Sequence, residues 1–149
     1  MDESKVQNLQ IQILNNTRLL AQKEVLEGTD LVIQLDFPPY TWPKEAEQNF
    51  INYINEGRGG WIGFHHATLL GDFDGYPLWQ WFSDFMGGIR FQNYIAPLAD
   101  GTVIVEDKEH PVMKGVDASF VVQDDEWYTY DKSPRPNVRV LAHVDESTY

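Results

Sequence analysis

The first 64 residues alternate between two hydrophobic periods, and this constrains the fold more than any other feature. Val6–Leu14 places Leu9, Ile11 and Ile13 against Gln10 and Gln12, the period-two pattern of a half-buried strand. Asn16 or Thr17 can cap a helix striped by Leu19, Leu20 and Leu26, with Gly28 suited to its end. Leu31–Leu35 reads as a short buried strand. Beyond Pro38-Pro39, Thr41 and Pro43 suit the start of a second helix, whose apolar face carries Phe50, Ile51 and Ile54 and which Gly57 closes. Trp61–Phe64 then reads as a third strand. Strand, helix, strand, helix, strand predicts an α/β protein with a parallel sheet and helices on its faces.

The second half is less regular. Pro77–Met86 predicts a helix ended by Gly87-Gly88, and Thr102–Glu106, Phe120–Gln123 and Val138–Val144 predict strands. No repeat, low-complexity tract or linker divides the chain, so residues 1–149 read as one domain. Both ends read as cut from a larger α/β unit.

Charge narrows the function. Eleven Lys and Arg against 23 Asp and Glu give a formal net charge of −12, with no basic face for a phosphate backbone or an anionic membrane. No run approaches the roughly 20 apolar residues of a membrane span. The chain has no cysteine, which removes thiolate nucleophiles, thiolate metal sites and disulfides. The polar start MDESKVQNLQ carries no signal peptide, so the expected compartment is the cytoplasm, or the periplasm if an upstream leader was removed. Exposed aromatics leave room for a homo-oligomer.

Four segments could carry chemistry. Gly63-Phe64-His65-His66-Ala67-Thr68 follows a strand directly, and in open α/β sheets ligands bind beyond the carboxyl ends of strands. Small residues around His65 suit a tight turn, and adjacent histidines point in different directions, so one of the two enters a shared site. The competing reading is a histidine bonded to backbone. Asp124-Asp125-Glu126-Trp127-Tyr128 places carboxylates beside aromatic rings, a combination that suits sugars: the rings stack, and the carboxylates accept hydroxyl hydrogen bonds or move protons. The competing reading is a solvated acidic loop. His110-Pro111 reads first as a turn and secondarily as a ligand contact. Among Trp79, Trp81, Phe82 and Phe85, Trp79 lies off the helical stripe and is the candidate pocket wall. His65, His66, His110, Asp125 and Glu126 include the ligand types for a divalent metal, but no dense metal motif, so the expectation is no cofactor, with a divalent metal as the less favoured alternative.

In this order, the Gly57–Gly60 lead-in, GFHHAT at 63–68, Gly87-Gly88 with Phe91, His110-Pro111 before Gly115, and DEWY at 125–128 together resemble the ThuA-like (trehalose utilisation) family. The resemblance runs from about Asp30 onward. It implies a flavodoxin-like three-layer sandwich with a mostly parallel sheet, as in class I glutamine amidotransferases. Their elbow reads Gly-x-Cys-x-Gly; here Gly63 matches, His65 stands at the cysteine position and Ala67 replaces the last glycine. Glutaminase chemistry through a thioester is thereby excluded. Many relatives carry a histidine where this chain has Tyr94. The implied role is carbohydrate catabolism, on a sugar or keto-sugar. His65, Asp125 and Glu126 are the expected catalytic residues, and His66, Trp79, His110, Trp127 and Tyr128 the expected substrate contacts. The alternatives are a non-catalytic carbohydrate- or protein-binding module and a metal-dependent hydrolase.

Overall fold

A computed structural model describes residues 9–149. It is a mixed α/β structure with a two-stranded parallel sheet and a three-stranded antiparallel sheet. The chain folds as two compact units, where the sequence alone offered no boundary. The first runs to Ile33 and includes Trp42–Ile62, and the second comprises Gln34–Thr41 with Gly63–Tyr149.

In the first unit, Asn16 caps a 3-10 turn at Thr17–Ala21 by accepting from the Arg18 N–H, and helix α1 follows at Lys23–Glu27. The expected single helix is thus two short pieces broken at Gln22. Leu20 and Leu26 are buried, as the stripe predicts. The strand expected at Val6–Leu14 is absent over 9–14, where Leu9, Ile11 and Ile13 are 71%, 76% and 88% exposed; its first residues lie outside the described ones. Period-two patterning forms a strand only where a neighbour offers ladder hydrogen bonds.

Helix α2 spans Lys44–Asn55, capped by Pro43 rather than Thr41, and Gly57 follows it at φ 64. Its Phe50 and Tyr53 are fully buried, and Phe50 packs edge-on against Trp42. The Tyr53 hydroxyl donates to the Gly60 carbonyl at 3.0 Å, and a Cβ at Gly59 would lie 2.0 Å from that oxygen. Only glycine admits this approach. Tyr53→Phe therefore leaves the Gly60 carbonyl without this donor and lowers unfolding free energy by about 1 kcal/mol, read as a shift in urea midpoint.

Strands β1 (Leu31–Leu35) and β2 (Gly60–Phe64) pair in parallel, with Gly60 N–H donating to Asp30 C=O at one end and Asp36 N–H to Phe64 C=O at the other. Both strands form where the hydrophobic runs predict. The burial expected of β1 does not: Leu31, Ile33 and Leu35 are exposed and only Gln34 is buried, because no described element covers that face.

In the second unit, α3 is confined to Gln80–Phe85, shorter than the predicted helix, and Gly87 and Gly88 at φ 93 and 81 end it. At Gly87 a Cβ would come within 2.9 Å of Pro134 and Val138, so the turn requires glycine twice over. Strand β3 (Phe91–Val105) is central, flanked by β4 (Ser119–Tyr130) and β5 (Ala142–Asp145), all antiparallel. The mostly parallel sheet implied by the resemblance is thus corrected: three of the five described strands form an antiparallel sheet. The acidic run expected to compete as a loop lies inside β4, with Asp124 at φ 49 where the β3–β4 register shifts.

At one end of β3 the Arg135 guanidinium binds the Glu106 carboxylate through both nitrogens, and His143 Nδ1 lies 2.5 Å from the same carboxylate. The Arg135 hydrogen bonds, with its charge and His143 adding to them, push Glu106 down from 4.5 to about 2. A carboxyl whose folded pKa is depressed contributes stability above its unfolded pKa, and that contribution fades as pH falls from about 4.5 toward 2. Across this acid window Glu106→Gln should lose less stability than the natural chain, checked by denaturation at stepped pH. In Arg135→Ala the Glu106 carboxyl, followed by NMR, should titrate back toward the ordinary range.

Candidate active-site cleft

The parallel strands deliver two polar side chains to their carboxyl ends. Asp36 follows β1 at φ 55 and His65 follows β2 at φ 50. For residues with a Cβ this left-handed backbone costs about 1–2 kcal/mol each. Such turns concentrate where a side chain must be aimed. His65–Thr68 forms one 3-10 turn with Ala67 fully buried beneath it, which is why a small residue follows the histidines. Thr68 Oγ1 donates to the His65 carbonyl at 2.9 Å, and the Tyr130 hydroxyl donates to Thr68 Oγ1 at 2.7 Å. A hydroxyl chain from β4 thus fixes the turn that presents His65.

Strand alternation supplies the opposite wall. Glu126, Tyr128 and Tyr130, at i, i+2 and i+4 of β4, share a face. Glu126 Oε2 lies 3.0 Å from His65 Nε2, both side chains partly exposed at 26% and 38%. One proton bridges the contact: Nε2–H donates to the carboxylate, or a protonated carboxyl donates to Nε2. The Tyr128 ring stands edge-on to His65, centroids 5.0 Å apart at 89°. Burial first, then the Glu126 carboxylate beside it, pushes the Tyr128 phenol well above its usual range, so it stays a donor. Burial likewise raises Tyr130.

These groups, with Phe64 and Asp125, line a cleft of about 340 Å³, within the range of small-molecule sites. Asp125 Oδ1 accepts from the Glu126 N–H at 2.8 Å, which orients the backbone beneath Glu126. His66 turns from His65 toward the end of β1, its Nδ1 2.6 Å from Asp36 Oδ1, with the two imidazole centroids 4.3 Å apart.

The cleft therefore brings together His65, Asp125, Glu126 and Tyr128, with His66 beside it. Three expected substrate contacts lie elsewhere. Trp127, one residue out of phase, points through the other face of the sheet: its Nε1 donates to the Ala99 carbonyl at 2.8 Å, its ring stacks on Tyr149, and it fills the space a Cβ at Gly101 would need. Trp79 is buried and packs against Trp81 and Phe82. His110 Nδ1 accepts from the Val112 N–H at 3.3 Å and caps the 3-10 turn Pro111–Met113. Sequence reasoning missed Asp36 and Tyr130. The first follows a strand end as His65 does, and the second extends the Glu126–Tyr128 alternation; both signals were present.

Over residues 2–149 the chain matches the ThuA family, described as trehalose utilisation. It is also similar to a solved structure, a putative ThuA-like protein from Bacteroides uniformis ATCC 8492, at 35% sequence identity and a TM-score of 0.74. The likeness covers 87% of this chain and 52% of that one, so the chain spans about half the length of the structure it matches. No curated protein matches it.

Proposed function

Because the chain belongs to the ThuA (trehalose utilisation) family, we propose that its cleft binds a sugar or keto-sugar and moves a proton on it through the Glu126–His65 pair. The family supports a carbohydrate-related role. The observation that carries the chemistry is the 3.0 Å contact between Glu126 and His65 in a cleft walled by tyrosines. A hydrogen-bonded carboxyl and imidazole, partly open to solvent, can take a proton from carbon beside a carbonyl and return it, or protonate a glycosidic oxygen. Glu126 faces the ligand and carries the proton, and His65 holds its carboxyl group in place through the 3.0 Å contact. The Tyr128 hydroxyl, held protonated, donates to a sugar oxygen. The ring of Phe64 and the edges of the tyrosines offer the apolar surface that sugar rings use. An isomerase and a lyase-like hydrolase both fit this arrangement, and His65 at the elbow leaves no thioester route.

The parallel β1–β2 pair, with a functional residue at each carboxyl end, supports reading it as a piece of a flavodoxin-like, amidotransferase-like sheet. The test of the function is turnover of a keto-disaccharide by the natural chain and by the Glu126→Gln variant. A chain that binds the sugar tightly without converting it, with or without added metal, is instead a carbohydrate-binding module.

A further inference from the structure

We propose that Asp36, His65 and His66 form a binding site for one divalent transition-metal ion at the edge of the cleft. The inference deepens the reading above: it rests on the same cleft and adds what polarises the ligand there.

One ligand atom from each of the three residues lies within 4.8 Å of the others. Two imidazoles and one carboxylate select zinc, or another first-row transition ion, over magnesium or calcium, which prefer all-oxygen shells. Three protein ligands leave a coordination position open, the hallmark of a reactive rather than a structural site. Two of the three residues, Asp36 and His65, are the ones held at φ 55 and 50, at the ends of adjacent parallel strands. The fold thus strains two backbone positions to bring these side chains to one point. The His65 and His66 rings lie with centroids 4.3 Å apart, close enough for one ion to reach both.

The surroundings fit. His65 has Glu126 on Nε2, which leaves Nδ1 as its candidate donor, and His66 faces Asp36 through Nδ1. A carboxylate on the far nitrogen of a liganding histidine is the usual device for fixing its tautomer and raising its basicity. The Asp36–His66 contact of 2.6 Å must open toward about 3.4 Å, the edge of a tetrahedron with bonds of about 2.1 Å, if the cation uses those two atoms. Both side chains are exposed enough to make that adjustment. With the cation in place His65 becomes a ligand, Glu126 remains the proton carrier, and the open position can take a carbonyl or hydroxyl oxygen of the sugar.

The test uses the chelator-treated, dialysed protein titrated with Co²⁺, read by visible absorption, and with Zn²⁺, read by calorimetry. One equivalent of Co²⁺ should saturate an absorption band. Asp36→Asn and His66→Gln should each weaken Zn²⁺ affinity at least about 10-fold with unchanged circular dichroism, and Glu126→Gln about 10–100-fold at unchanged stoichiometry. His110→Gln, a histidine outside the site, should bind as the natural chain does. Absence of stoichiometric binding overturns the proposal, as does binding that survives both Asp36→Asn and His66→Gln. The two readings fail separately. Metal-free protein that converts keto-disaccharide at full rate and binds no Co²⁺ removes the metal site and leaves the Glu126–His65 function standing. One equivalent of Co²⁺ bound, with Glu126→Gln at full turnover, does the reverse.

Discussion

If the cleft acts as proposed, replacing Glu126 by Gln should lower turnover of a keto-disaccharide by about 10²–10⁴-fold, the range a positioned acid–base group contributes. The substitution keeps the side chain's shape and one hydrogen bond to His65 Nε2, but removes the group that can gain and lose a proton. The loss falls on kcat, with KM changed little, because the amide still fills its place in the cleft. Asp125→Asn is the matched control. Its carboxylate lies one residue away, and Oδ1 is engaged with the Glu126 N–H, a bond the asparagine oxygen also accepts. It should retain most of the activity. A Glu126→Gln protein with undiminished turnover and a native circular dichroism spectrum would falsify the assignment.

Phe82→Ala should cost about 3–5 kcal/mol, the range for truncating a fully buried aromatic side chain. The ring is fully buried and packs on Trp79, Trp81 and Phe85 at centroid distances of 5.1–6.5 Å. Its removal forfeits the transfer of a whole aromatic side chain and leaves a cavity that rigid indoles cannot collapse to fill. Against a typical total of about 5–15 kcal/mol, a loss of this size populates the unfolded chain at moderate temperature. Phe85→Ala, at a position 36% exposed, should cost markedly less. The two variants' denaturant midpoints decide the matter, and equal midpoints would contradict the packing account. Activity at low temperature should survive in Phe82→Ala, because the ring packs on Trp79, Trp81 and Phe85, none of which lines the cleft.

The sequence by itself determined the elements whose information is local. LVIQL and WIGF are runs of apolar and β-branched residues bounded by turn formers, and they form strands wherever a partner is available. Asn16, Gly57 and Gly87-Gly88 end or start helices because caps and left-handed turns depend on one residue and its immediate neighbours. The same local logic placed His65 at a strand end; Glu126 and Tyr128 stood out by composition, and their shared face follows from the observed strand running on to Tyr130. The chemistry of the cleft was legible to that extent.

What tertiary structure alone decided is non-local. Nothing within Asp124–Tyr128 says that β4 runs beside a 15-residue β3 in an antiparallel sheet, so that Glu126 meets a histidine 61 positions earlier. Trp127 reads as a sugar platform by composition, yet the pleat turns it to the opposite face, under Gly101 and Tyr149. His110 spends its ring nitrogen on a turn, and Trp79 is buried by its helix. Asp36 gains its meaning only from β1 lying next to β2, which brings it to 2.6 Å from His66. The segment at 9–14 carries a strand's pattern without a strand's partner, and stays irregular. Backbone preference and side-chain alternation act over one to four residues, whereas a site is assembled by chain segments tens of residues apart, held together by burial and ladder hydrogen bonds that no local pattern encodes.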